Sequence, residues 1–241
     1  MENKRIFILL QLNIAAITIQ LSFLYMIVML KKYYCISGCL IAAFLLWTGA
    51  LCFVDVKAIG PEGSCVGFAS VNGYIHEITD ANMALYTLTD WLGLVPMGIA
   101  FGFALLGLFQ WIKRKKLLKV DKSILAMGVF YVFTAAVYFL FENFVVNFRP
   151  VLIEGVLEAS YPSSTTVLTV CVMSTAAIWH ESRIKNPVLR KTVLYLSMVF
   201  TVFMVAARLV SGVHWLSDII GGILISAGLT AAYYAYICDN N

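Results

Sequence analysis

The chain has 241 residues, of which 61% are hydrophobic and 12% charged, with a formal net charge of +4. Soluble domains carry about 25% charged residues, so a water-soluble globule of this composition would leave too much apolar surface exposed. Apolar runs of roughly 20 residues, each long enough for a hydrocarbon core of about 30 Å, predict instead an all-α integral membrane protein. No strand-period alternation points to a barrel.

Seven spans are predicted, at about 6–30, 35–55, 91–112, 123–147, 165–180, 192–210 and 214–237. The first run is too long for a signal peptide and ends in Lys31-Lys32 rather than a small-residue cleavage site, so it is expected to stay attached. Lys31 and Lys32, then Lys113, Arg114, Lys115, Lys116, Lys119 and Lys122, then Arg183, Lys185, Arg190 and Lys191 fall in alternate loops. Those loops are expected to be cytoplasmic, which places the N-terminus outside and Asn241 inside. Lys4 and Arg5 run against that assignment, so the orientation of the first span is its weakest part. Topology accounts for the basic clusters, and no nucleic-acid partner is implied.

Between the second and third spans, residues 56–90 form a long external loop rich in glycine and acids, with a short helix expected near 79–90. It reads equally as a lid or as a plain connector. The six cysteines are scattered and lack metal-ligand spacing, so they are expected to be small packing residues. In the last span, Ser217-x-x-x-Gly221 and Gly222-x-x-x-Ser226 put small residues one turn apart, a stripe expected to pack inside the bundle rather than between subunits of a homo-oligomer.

Charges at span ends are where this sequence becomes informative, because ionisable groups near hydrocarbon need water or partners. Three such segments meet at the outer face: "FENFVVNFRP" with Glu142 and Arg149, "SYPSSTT" over 160–166, and "RLVSGVHWLSD" over 208–218. His214 and Asp218 are four residues apart, one turn on a helix. A carboxylate there can accept the imidazole Nδ1–H and leave Nε2 free as a nucleophile or base. Arg149 and Arg208 supply forked donors that match phosphate oxygens. Ser163 and Ser164 follow Pro162 at a helix start, where hydroxyls and amides can cap the helix or bind an anion. Taken one at a time, each has a plainer reading: an interfacial arginine, a structural histidine, an ordinary helix start. Together they point to a phosphate-type anion site.

These segments resemble the signatures of the type-2 phosphatidate phosphatase superfamily. "RLVSGVHWLSD" resembles its third signature, "FRP" the end of the first and "YPSS" the start of the second. The resemblance implies a six-helix phosphatase-like core over 34–241, with 1–33 as one extra N-terminal span. It also implies that His214 attacks phosphorus and becomes a phosphohistidine, that Asp218 orients it, and that Arg149, Arg208 and Ser163 hold the phosphoryl oxygens. No metal or other cofactor is implied.

Three positions depart from the pattern. Glu142 stands where the first signature has lysine, Ala207 where the third has serine, and Thr165 where the second has its acid histidine. A positioned acid contributes about 10²–10⁴-fold when the leaving group is a basic alkoxide. A phosphate leaving from a diphosphate needs that help much less. The expectation is a membrane lipid phosphatase that prefers a diphosphate lipid, such as a polyprenyl diphosphate, over a phosphatidate-type monoester. Its setting is expected to be the outer leaflet of a bacterial plasma membrane. Glu142 either pairs with Arg149 two turns along the same face or replaces the missing acid, and His76, Glu77 and Asp80 are further candidates for an acid carried by a lid. His180 belongs to the cytoplasmic end of its span. The alternatives are a non-catalytic relative that binds or transports an anionic phospholipid, and a lipid phosphotransferase.

Overall fold

The computed structural model describes residues 31–240. The extra span expected at 6–30 lies outside the described residues. Helix α1 covers Lys31–Phe53. A small antiparallel hairpin follows, β1 Lys57–Ala58 paired with β2 Cys65–Val66 in the register Lys57↔Val66. Then come α2 Ala69–Thr79, α3 Met83–Leu92, α4 Leu94–Arg114, α5 Lys122–Asn143, α6 Ser164–Arg183, α7 Pro187–Val210 and α8 Leu216–Asn240. At 1.5 Å per residue, the 21 residues of α4 reach about 31 Å, enough to cross a hydrocarbon core.

Five helical segments are long and apolar enough to cross a membrane: α1, α3 together with α4, α5, α7 and α8. Their outward faces carry Leu46, Phe101, Phe133, Val202 and similar side chains, all exposed and suited to lipid. The protein is a multi-pass membrane protein. Helix α6 falls outside that set because it is the centre of the bundle, packed against α4, α5, α7 and α8. Its Thr166, Thr169 and Thr175 are buried, and the Thr175 hydroxyl is satisfied by the Cys171 carbonyl at 2.8 Å.

Local chemistry sets the helix ends. Asn186 caps α7, its Oδ1 accepting from Val188 N at 2.9 Å and Leu189 N at 3.2 Å, with Pro187 at the first helical position. Gly212, at φ +66°, ends the same helix in the left-handed region, where glycine has no steric penalty. The segment 56–90 differs from the single short helix expected near 79–90. It holds the hairpin and two helices, broken at Asp80 (φ +50°) and restarted by Asn82, whose side chain accepts from Leu85 N at 3.0 Å. Pro96, in the first turn of α4, lacks the N–H that would continue the α3 ladder through Gly93, so α3 and α4 meet at a joint.

The small-residue stripe of α8 packs within the chain. A Cβ on Gly221 would lie 2.4 Å from the Tyr161 ring, and one on Gly222 would lie 3.0 Å from Thr166. Tyr161 in turn stacks on Phe44 and meets Phe141 edge-on, forming an aromatic layer beneath the segment that joins α5 to α6. The two ends of the bundle differ in charge. Lys113, Arg114, Lys122, Arg183 and Arg190 gather at one end, while Arg149, His214 and Asp218 lie at the other.

Candidate active site

Asp218 sits three residues into the α8 start, and its Oδ2 accepts from Trp215 N at 3.0 Å, the acidic half of a capping box. Every other neighbour of this carboxylate can also donate. Asn147 Nδ2 lies 3.1 Å from Oδ1, Ser217 Oγ lies 3.5 Å from it, and Ser160 Oγ makes a short contact to Oδ2. Asn72 Nδ2 and Asn147 Nδ2 both donate to Ser217 Oγ, at 2.9 and 3.3 Å, which leaves the Ser217 hydroxyl proton for Asp218. A fully buried carboxylate needs this many partners.

His214 is 3% exposed and lies in the turn before α8. Its Nδ1 is 3.8 Å from Asp218 Oδ2, beyond hydrogen-bond length, and 3.1 Å from Ser160 Oγ. Its Nε2 lies 3.2 Å from Arg149 Nη1. Burial, and then the Arg149 and Arg208 guanidiniums, hold its imidazole well below the usual histidine range. A neutral ring with a free Nε2 lone pair is the form able to attack an electrophile.

Arg149 lies in the segment between α5 and α6, where its amide donates to the Glu158 carbonyl at 3.0 Å. Glu158 Oε2 stands 3.0 Å from Arg149 Nε, an ion pair although not a directed hydrogen bond. Glu142 does not make the pair expected of it. Helix α5 ends at Asn143, so Glu142 and Arg149 share no helical face, and Glu158 takes that place. Glu142 instead lines the same small cavity as Arg149, Glu158, Ser160, Ser164 and His214, a polar space of about 150 Å³.

Arg208, 1% exposed, lies behind this cavity and is absent from its wall. Its Nη1 meets Thr89 Oγ1 at 3.2 Å and Asp90 Oδ1 at 3.9 Å, and its Nε has no partner. Tyr86 on α3 holds both arginines, with Arg208 Cζ 4.9 Å and Arg149 Cζ 5.9 Å from the ring centroid. Two guanidiniums gathered on one ring, one with an unpaired buried donor, create a strong positive field at the back of the cavity.

The two serines diverge. Ser164 lines the cavity, whereas Ser163 is buried with its hydroxyl accepting from Thr166 Oγ1 at 3.1 Å and its amide donating to the Asp218 carbonyl at 3.2 Å. Thr165 faces a different space, an apolar cleft of about 520 Å³ between α4, α5 and α6. Tyr138, Pro162 and Ser164 border both the cleft and the polar cavity. His76, Glu77 and Asp80, the further acid candidates, lie apart from that cavity. His76 packs edge-on against Trp215 at 5.4 Å, His76 and Glu77 line a separate groove, and Asp80 Oδ1 accepts from Ala81 N. His180 sits in the last turn of α6, at the far end of the bundle.

Sequence reasoning missed Asn72, Tyr86, Thr89, Asn147, Glu158, Ser160 and Ser217. Glu158 and Ser160 lie just before the "YPSS" segment, and their closeness to it was the available signal. Asn72, Tyr86 and Thr89 sit on α2 and α3, where spacing gives no clue to burial.

A helical membrane bundle with a small polar cavity lined by Arg149 and His214 at one end defines a class, and the sequence match agrees with it. Residues 97–241 match the model of the PAP2 superfamily, and the chain belongs to that superfamily. The fold is also similar to the "crystal structure of the first transmembrane PAP2 type phosphatidylglycerolphosphate phosphatase from Bacillus subtilis". That likeness has a TM-score of 0.54 at 19% identity and covers 85% of this chain and 96% of that one. No curated protein matches the chain.

Proposed function

We propose that this protein is a membrane lipid phosphatase that works through a phosphohistidine on His214. The observation that carries the reading is the shared wall of one small polar cavity, where His214 and Arg149 stand side by side with Nε2 and Nη1 3.2 Å apart. The superfamily of the chain and the phosphatase named for its structural neighbour support the same chemistry.

In the proposed reaction the substrate phosphoryl group enters between Arg149 and His214. Glu158 holds the Nε edge of Arg149 and leaves Nη2 for phosphoryl oxygens, joined by Nη1 when the entering phosphoryl group draws it from His214 Nε2 and frees that lone pair. Arg208 adds charge from behind. His214 Nε2 forms a bond to phosphorus as the phosphorus–oxygen bond to the leaving group breaks, and water later cleaves the phosphorus–nitrogen bond. Catalysis rests on placement and on fixed positive charge. Asp218 supports His214, and Ser163 acts through the backbone rather than as a phosphate ligand. Ser164 takes the role of a hydroxyl at the cavity wall.

The adjoining cleft suits a lipid chain. It is apolar, opens between helices with lipid-suited faces and meets the cavity at Tyr138, Pro162 and Ser164. No histidine stands at Thr165, so a weakly basic leaving group is preferred and a diphosphate lipid is the favoured substrate. The phosphatase core is taken as 34–241. The cavity is proposed to open at the outer leaflet of a bacterial plasma membrane, because the basic loop ends lie at the opposite end of the bundle.

Release of inorganic phosphate by purified protein, compared between a polyprenyl diphosphate and phosphatidate, tests the reading. Faster turnover of the diphosphate, with a trapped phosphoenzyme lost in His214→Ala, is the expected result. Faster turnover of phosphatidate overturns the preference. No phosphoenzyme with either lipid leaves a non-catalytic binder of anionic lipid, and label passed to an acceptor makes the protein a phosphotransferase.

A further inference from the structure

We propose that Ser160 is a positioning residue which links His214 to Asp218 and, together with Arg149 on the opposite ring nitrogen, fixes the proton on His214 Nδ1. The contact that sequence spacing suggests, imidazole directly to carboxylate, is 3.8 Å long and is not a hydrogen bond. Ser160 fills the gap. It is buried, its Oγ lies 3.1 Å from His214 Nδ1 and also contacts Asp218 Oδ2, and its amide is anchored to the Asn147 carbonyl at 2.9 Å.

The direction of every proton in this chain follows from donor and acceptor capacity. Arg149 Nη1 can only donate, so His214 Nε2, 3.2 Å away, must accept. The neutral ring then carries its proton on Nδ1, and that N–H donates to Ser160 Oγ. A serine hydroxyl has one proton, and here it turns to Asp218 Oδ2. Asp218 therefore accepts, as an ionised carboxylate does. The other donors, Trp215 N on the same Oδ2 and Asn147 Nδ2 on Oδ1, find acceptors there too. Reversing the chain would place a proton on Nε2 against Arg149, donor against donor. A lone-pair Nε2 facing the cavity is the only consistent arrangement.

The assignment has a consequence for group transfer, and that part rests on the phosphatase reading. When Nε2 bonds to phosphorus, the ring becomes cationic with its proton still on Nδ1. Ser160 passes the influence of the Asp218 charge to that N–H, and the proton stays on the ring through both steps.

The chain has three histidines, so ¹⁵N-histidine labelling of the full protein in a His76→Gln, His180→Gln background isolates His214. The expected spectrum shows a protonated Nδ1 and a bare Nε2. Ser160→Ala is expected to mix the tautomers and to lower kcat about 100-fold with KM little changed, the signature of a misdirected imidazole. Ser160→Thr keeps the hydroxyl and is expected to recover most of the rate and the original tautomer. Because the serine acts through the carboxylate, Ser160→Ala combined with Asp218→Asn is expected to be no worse than Asp218→Asn alone. An unchanged tautomer in Ser160→Ala overturns the proposal, as do fully additive losses in the double variant. A wild-type protein silent in phosphate release, whose tautomer still depends on Ser160, refutes the phosphatase reading and leaves the link standing.

Discussion

The two ends of the bundle hold similar side chains in different settings. At the basic end, Asp121 meets Arg114 at 3.0 Å and Arg183 at 3.3 Å, with all three side chains partly exposed. Partial burial pushes the Asp121 carboxyl up, but hydrogen bonds from Arg114, Gln110 and Arg183 outweigh that and hold it below the usual carboxylate range. At the other end, Asp218, His214 and Arg208 are almost fully enclosed, and each polar neighbour has an assigned direction. Exposed pairs contribute about 0–1 kcal/mol, whereas breaking a buried set costs about 3–5 kcal/mol. An acid between two arginines is therefore not informative by type. Enclosure beside an open polar cavity separates a chemical site from a surface anchor.

The sharpest way to break that contrast is at the proposed nucleophile. His214→Ala is expected to lower phosphate release at least about 10³-fold while anionic lipid still binds, read by a release assay beside vesicle co-sedimentation. Next come the guanidiniums. Arg149→Ala and Arg208→Ala are each expected to cost about 10²–10³-fold in kcat, whereas Arg114→Ala at the basic end leaves kcat unchanged. Equal losses at both ends would dissolve the distinction. Thr165→His, which restores an acid beside the cleft, is expected to raise phosphatidate turnover about tenfold relative to the diphosphate.

The pH profile gives a smaller effect with a definite sign. An ordinary imidazole near 6.5 would be about nine-tenths protonated at pH 5.5, losing about tenfold in activity. Because burial and the two arginines lower the His214 pKa, the neutral form persists as pH falls, and kcat/KM at pH 5.5 is expected to stay within about twofold of its plateau. The smallest effect is at Asp121: Asp121→Asn is expected to change stability by no more than about 1 kcal/mol, read by thermal unfolding in detergent.

The long apolar runs made the membrane bundle legible from sequence: six of the seven expected spans coincide with helices that meet span criteria or with the centrally packed α6, within about five residues of each end, and the seventh, 6–30, lies outside the described residues. The span ends also drew attention to Arg149, Arg208, His214 and Asp218, which the fold brings to one end. Other relationships were hidden for physical reasons. The Glu142–Arg149 pairing assumed a helix that in fact stops at Asn143, and a polar stretch with no periodicity gives no warning of Glu158. Two i,i+4 residues at a helix start suggested direct contact, but His214 precedes the first helical residue and its ring swings away, leaving room for Ser160. Asn72 and Thr89 look like ordinary loop residues until α2 and α3 fold down onto the α7–α8 turn.

That folding-down has its tightest point at Gly212. A Cβ there would lie 1.8 Å from the Asp80 carbonyl oxygen, and Asn82 N donates to the Ser211 carbonyl at 2.9 Å. The 55–92 segment and the α7–α8 turn are thus keyed together like a bolt in its keeper. A chimera that swaps residues 55–92 for a bare linker would lose the seat of the imidazole along with its roof, so neither piece can be exchanged without recutting the other.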